Sequence, residues 1–303
     1  MHGTTRPAGS GMPARAWALW RDRGGRLSYL RLAALALLVL PLTKALIDAG
    51  AIAHGARPLN DLIHRAGFWT LVLLGVTLAV TPFRSVARFG ALADIRRMLG
   101  VGTFCYAAAH VLLYVADQQF DLGKAAYEVT HRWYLIVGGT AWLGLAALAA
   151  TSTDAMVRRV GPLRWRRLHQ AVYAIALLAL IHYFQQTKAD VTVPVFAAGL
   201  FGWLMLYRVF AWAQGVQTLS SISLVALALL TSLLTFAGEA IGIGIAFHVS
   251  PMRVLGTAFD TSIGLRPGWQ VLAAGLAVVA LDLVRKWQKS GLRQVKARRG
   301  VEA

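Results

Sequence analysis

Apolar residues dominate eight long blocks of the chain, at 32–50, 67–82, 99–116, 133–151, 169–186, 191–210, 219–238 and 268–284. Each block approaches the roughly 20 residues that an α-helix needs to cross a hydrocarbon core, and each carries almost no charge. In lipid the backbone must satisfy its own hydrogen bonds, so the blocks predict an all-α, polytopic transmembrane helical bundle. Little chain lies between them, which leaves no room for a separate soluble catalytic domain.

Composition agrees: 57% of the 303 residues are hydrophobic and 15% are charged, against about 25% charged in a soluble domain. The net charge of +18 raises the question of nucleic acid. Its distribution answers it. Arg6, Arg15, Arg21, Arg23, Arg26 and Arg31 precede the first span. Arg84, Arg88, Arg96 and Arg97 fill the second loop, and Arg158, Arg159, Arg164, Arg166 and Arg167 the fourth. Arg208 flanks the sixth span, and the tail from Arg285 to Arg299 is basic again. The opposite loops hold only Arg57, Arg65, Lys124, Arg132, Lys188, Arg253 and Arg266, and Lys44 lies within the first span. Alternation of this kind is topological and places both termini in the cytoplasm. It accounts for the charge without nucleic acid. A basic arm before an apolar run can also be a cleaved leader; here the length of arm and run favours an uncleaved first span, whose loss would upset the alternation.

Cys105 is the single cysteine, so no intrachain disulfide forms. C-x-x-C-H is absent, so any haem would be held by coordination alone. Of the eight histidines, His2 lies in the N-terminal arm, and His54, His131 and His248 fall in or beside outer loops. His110, His169 and His182 lie within apolar spans, where a polar group is costly and is usually paired or functional. The third and fifth spans run in the same direction. His110 is ten residues beyond Gly100 and His182 thirteen beyond His169, rises of about 15 and 20 Å. The two imidazoles can therefore face each other in the outer half of the bundle, where they would suit the axial positions of a b-type haem. A proton relay would instead call for membrane carboxylates. The only acids in the spans are Asp48, Glu239 and Asp282, expected at or near helix ends. His169 sits at the inner end of its span, suited to a second redox centre. Thirteen residues of ideal helix turn a side chain by roughly 220°, so either the helix is distorted or the two histidines face different neighbours. Thirteen or fourteen residues before His110 stand Arg97 and Arg96, not histidine. A second haem would have unusual ligation, or His169 would serve a flavin or quinone.

The stretches "RRMLGVGTFCYAAAHVLLYVADQ", "RWYLIVGGTAWLGLAALAATSTDAM" and "LRWRRLHQAVYAIALLALIHY", with "NDLIHRAGFW" and "TPFR" upstream, resemble the MsrQ (YedZ) family, haem-binding membrane subunits within the ferric-reductase-like transmembrane superfamily. The resemblance covers about residues 30–212. It implies b-type haem at the histidines matching His110, His169 and His182, and an FMN. It implies electrons drawn from the quinone pool or a cytoplasmic flavin reductase. The recipient would be a periplasmic molybdopterin subunit, MsrP, that reduces methionine sulfoxide in proteins. The location implied is the bacterial inner membrane. No G-x-G-x-x-G loop precedes a strand–helix pattern, so the chain fits a relay between two partners and no catalytic residue is assigned. His64 in "NDLIHRAGFW" is a further candidate, as haem neighbour or propionate partner. Arg96, Arg97, Arg164, Arg166 and Arg167 would meet lipid phosphates or propionates, though topology alone accounts for them.

The expected organisation is a basic arm (1–31), a six-helix haem-binding core (32–212), a two-helix extension (213–284) and a basic tail (285–303). The extension departs from the shorter family members. Its outer segment "GEAIGIGIAFHVSPMRVLGTAFDTSIGLRPGWQ" shows no periodicity and suggests either a docking or quinone-shielding element or a plain hairpin. Two other classes fit the pattern: another haem-b reductase, such as a ferric reductase or a cytochrome b561-like carrier, and a non-redox transporter with packing or proton-carrying histidines.

Overall fold

A computed structural model describes residues 19–21, 25–187, 190–260, 262 and 264–301. His2, Arg6, Arg15, Arg23 and Lys188 lie outside the described residues, as do the side chains of Arg293, Lys296, Arg298 and Arg299. Among the described residues, eight helical spans are long and apolar enough to cross a membrane. We label their helices α1 (Tyr29–Ile47), α2 (Pro58–Val86), α3 (Ala93–Asp117), α4 (Trp133–Ala150), α5 (Pro162–His169), α6 (Val172–Gln186), α7 (Thr192–Ala213), α8 (Ser221–Phe247) and α9 (Pro267–Val301). α5 and α6 together form the fifth span.

Local chemistry sets the helix ends. Pro58, Pro162 and Pro267 open α2, α5 and α9, where a missing N–H costs nothing and the fixed φ is already helical. The Ser220 hydroxyl accepts a hydrogen bond from the Ser223 N–H (3.1 Å) and caps α8. Inside the spans, the hydroxyls of Thr70, Thr77, Thr103, Thr140, Thr231 and Thr235 each donate to the carbonyl four residues earlier. No polar hydrogen is therefore left facing hydrocarbon at those positions.

The spans pack as neighbouring pairs: α2 along α3, α4 along α6, and α8 along α9. Leu74, Leu78, Ala107, Ala141, Leu145, Ile175 and Ala176 build the shared core, which continues through Trp203 and Tyr207 of α7 to Leu224 and Leu227 of α8. α7 thus joins the core to the C-terminal pair. α1 lies at the edge, tied to α3 by the Tyr106 hydroxyl, which donates to the Leu38 carbonyl (2.6 Å).

Two expectations change. α8 does not end near residue 238. It runs to Phe247 and stops where His248 turns left-handed (φ 55°, ψ 36°). The supposedly irregular outer segment is therefore helical over its first third, and Pro251–Gly256 adds a short helix. The alternation of Gly with Ile and Ala in this stretch hid an apolar helical face. Glu239 accordingly lies inside α8 rather than at its end. It is 3% exposed and pairs with Arg266 at 3.3 Å. Asp282 is likewise interior to α9 and buried, held by the Ser221 hydroxyl (2.7 Å) and Lys286 Nζ (2.6 Å).

The fifth span is the second change of detail. Its helix is interrupted between His169 and Val172, where the Ala171 N–H donates to the Leu168 carbonyl and the Tyr173 N–H to the Gln170 carbonyl. The spacing of the two histidines leaves two alternatives, a distorted helix or different neighbours, and here the histidines do face different neighbours: His169 bonds to Trp165 and His182 to Tyr134.

Candidate functional site

His110 on α3 and His182 on α6 meet in the bundle with ring centroids 6.3 Å apart and ring planes at 79°. Each ring is anchored in the same way to a different helix. His110 Nδ1–H donates to the Ile63 carbonyl on α2 (2.8 Å). His182 Nδ1–H donates to the Tyr134 carbonyl on α4 (2.8 Å). A carbonyl oxygen only accepts, so each Nδ1 carries the proton and each Nε2 keeps its lone pair. That is the tautomer a metal ligand needs, with its orienting partner in place.

The rings reach those carbonyls because of two glycines. Gly67 is four residues after Ile63, and Gly138 four after Tyr134. A β-carbon at Gly67 would stand 3.1 Å from His110 Cε1 and Nδ1. One at Gly138 would stand 2.8 Å from the same atoms of His182. Each imidazole therefore packs against bare backbone. Sequence reasoning found the two histidines but not these docks. The available signal was a glycine inside each neighbouring apolar span.

The separation fits one metal between the rings. Two metal–imidazole bonds of about 2 Å, with ring radii of roughly 1.1 Å, put collinear centroids about 6 Å apart. Among the described residues no group of three or more His, Cys, Asp or Glu side chains gathers to hold a metal. Two imidazoles and no third ligand suit a haem, whose macrocycle supplies the equatorial nitrogens. His64 is exposed one residue beyond Ile63 and lies within electrostatic range of both rings; it makes no hydrogen bond to either.

A second site opens toward the arginine-rich end. His169, Ser152, Trp165 and Tyr173 line a cavity of about 530 Å³ with Arg84, Arg96, Arg97, Arg166 and Arg208. The Trp165 ring stacks on His169 (3.9 Å, 26°) and its Nε1–H donates to the Thr151 carbonyl (2.8 Å). His169 Nδ1–H donates to the Trp165 carbonyl (3.1 Å), which leaves Nε2 beside the Ser152 hydroxyl at 3.3 Å. Five guanidiniums and an imidazole make this a strongly cationic chamber, suited to an anionic ligand with planar apolar surface. Arg96 and Arg97, at the register where a second axial histidine was sought, reach the chamber as cations. Arg164 and Arg167 do not line it. Sequence reasoning counted Arg208 only as flanking charge. It enters the chamber from α7, donating to the Leu204 (2.5 Å) and Leu78 (2.6 Å) carbonyls with its guanidinium 5.3 Å from the Tyr173 ring centre.

The remaining described histidines are peripheral. His54, His131 and His248 are exposed, and the first two bond only to nearby backbone and to Thr130. Cys105 is free and exposed on α3.

A helical membrane bundle with imidazoles facing each other from its third and fifth spans is of the ferric-reductase-like class. The family model described as ferric reductase like transmembrane component matches residues 66–180. Curated relatives carry the name protein-methionine-sulfoxide reductase heme-binding subunit MsrQ. That of Xanthomonas campestris pv. campestris (strain B100) is 41% identical over 162 residues, 53% of this chain and 74% of the relative. That of Ralstonia nicotianae is 39% identical over 156 residues, 51% and 72%. That of Azospira oryzae is 35% identical over 190 residues, 61% and 82%. The chain belongs to the MsrQ family. No solved structure matches it significantly.

Proposed function

We propose that this protein conducts electrons across the bacterial inner membrane through b-type haem, toward a periplasmic molybdopterin subunit that reduces methionine sulfoxide in oxidised proteins. The observation that carries the proposal is the matched pair of imidazoles at 6.3 Å, each Nδ1–H committed to a backbone carbonyl and each Nε2 free. His110 and His182 hold the iron, and the haem supplies one-electron chemistry. The name of the relatives, heme-binding subunit of a reductase, supports the same reading. The chain then supplies binding and orientation, and reduction of the sulfoxide occurs on its partner.

The cationic chamber at His169 is the second cofactor site. A haem with its propionates on the arginines or an FMN with its phosphate there would each match the charge. By the positive-inside rule this end faces the cytoplasm, with both termini, and the imidazole pair faces the periplasm. The chamber then stands on the side from which a cytoplasmic flavin reductase would deliver electrons. The basic arm (1–31), the core (32–212), the extension (213–284) and the tail (285–303) remain the working division of the chain.

Reduced-minus-oxidised spectra with pyridine haemochrome quantification test the reading. The wild-type protein should show a low-spin b-type spectrum, and His110→Ala and His182→Ala should each abolish the haem at the pair. Haem content unchanged in both variants would refute the ligand assignment.

A further inference from the structure

The chain leaves α3 at Asp117, two turns after His110, and enters α4 at Trp133, one residue before Tyr134. Between them lies a short helix, Leu122–His131, capped by the Asp121 carboxylate, which accepts from the Lys124 N–H (2.8 Å). Ala125 of this helix is buried. Val129 faces Gly139 of α4, where a β-carbon would stand 3.7 Å from Val129 Cγ1. The short helix therefore rests on the first turns of α4.

One carboxylate in this connection has partners on both sides of it. Glu128 Oε2 accepts from the Tyr114 hydroxyl (3.1 Å), and Glu128 Oε1 accepts from Arg132 Nη2 (3.2 Å). Tyr114 stands four residues after His110, so the two side chains share one face of α3, a turn apart. Arg132 opens α4: its carbonyl accepts from the Leu135 and Ile136 N–H groups (2.9 and 3.1 Å), and its Nη1 donates to the Tyr134 hydroxyl (3.1 Å). Tyr134 is the residue whose carbonyl holds His182. Contacts thus run without a gap from the helix of His110, through Tyr114, Glu128, Arg132 and Tyr134, to the ring of His182. An i,i+4 ion pair with an exposed arginine adds little stability by itself. The bond from Tyr114 differs, because it fastens α3 to the start of α4. Position matters there: Gly138 leaves the His182 ring no clearance for an added β-carbon, so a slide of the first turns of α4 displaces the ring. We propose that Glu128 is a positioning residue for the imidazole pair: its carboxylate fixes the Tyr134 carbonyl relative to the helix that carries His110. As a statement about haem this rests on the reading above; as a statement about the two rings it does not.

Two readouts on the full-length protein test it. The low-spin ferric EPR signal of haem-loaded protein responds to the angle between the axial ring planes. The nitrogen-15 NMR signals of His110 and His182 in haem-free protein report the hydrogen bond at Nδ1. Glu128→Ala should shift both and weaken haem retention by about tenfold, the low end for groups that orient a metal ligand. Tyr114→Phe, which removes a single hydroxyl, should shift both in the same direction and carries the test alone if Glu128→Ala does not accumulate. The double variant should be no worse than Glu128→Ala. Glu128→Gln keeps an acceptor for Arg132 and an amide for the tyrosine oxygen, so it should retain most of the wild-type signals. A lower melting temperature in Glu128→Ala with both signals unmoved would overturn the proposal, leaving the carboxylate a fastener of the connection. Additive effects in the double variant would also overturn it. A colourless wild type whose histidine signals still move in Glu128→Ala would refute the haem reading while supporting the positioning role.

Discussion

Gly138 lies against the imidazole of His182 more tightly than Gly67 lies against that of His110. Added β-carbons would stand at 2.8 and 3.1 Å respectively. The first distance demands displacement, whereas the second requires the ring to yield by a few tenths of an ångström. Gly138→Ala should therefore push His182 off the Tyr134 carbonyl and lose most of the haem. Gly67→Ala should retain haem with a shifted midpoint potential. Haem-to-protein ratios and redox titrations of both variants check the ranking.

His169 is anchored separately from the pair, on the far side of the interruption in the fifth span. His169→Ala should leave the spectrum of the His110–His182 centre intact while weakening the second cofactor and slowing electron entry. Stopped-flow reduction from the cytoplasmic side, followed at the haem band, checks this; loss of all haem would contradict it.

Arg266→Ala strands a buried carboxyl, because Glu239 loses its counter-ion. Removing one partner of a buried ion pair costs about 3–5 kcal/mol, so thermal unfolding in detergent should shift strongly downward. Glu239→Gln leaves no buried charge on α8 and should cost less. At the other end of this helix pair, Asp282→Ala removes the acceptor shared by Ser221 and Lys286. Lys286 is half exposed and stays hydrated. The loss there should be closer to the roughly 1.5–3 kcal/mol of a charge-assisted hydrogen bond.

Asp48 joins the first two spans. The hydrogen bond from Arg65 (2.6 Å), and then that from Lys44 (3.2 Å), hold its carboxyl below the ordinary carboxylate range. A depressed folded-state value means that the tie is complete above the ordinary carboxylate pKa and fades as pH falls through the depressed one. Thermal scans should show wild type losing stability over that acid window, more weakly at high salt because Lys44 and Arg65 are exposed. Asp48→Asn should flatten that part of the profile.

The eight spans were legible because lipid imposes one rule on every stretch of twenty residues, and that rule is local. The candidacy of His110 and His182 was legible for the same reason, since a buried imidazole stands out in an apolar block. What orients them was not. The Ile63 and Tyr134 carbonyls carry no sequence signature, and a glycine in a membrane helix has many uses. The position of Glu239 was misplaced because Gly-rich sequence is a poor guide to helix length when lipid, not propensity, decides it. The cationic chamber was half legible: its arginines were seen as topology, and only the packing of α7 against the core brings Arg208 to join them.

The short 3₁₀-type step at Gln170 and Ala171 separates two tasks that the sequence places on one transmembrane segment. With a continuous helix, any rotation that seated His182 would have fixed the heading of His169. With the step, each half settles against its own neighbours, so substitutions around either imidazole can accumulate without dragging the other out of register.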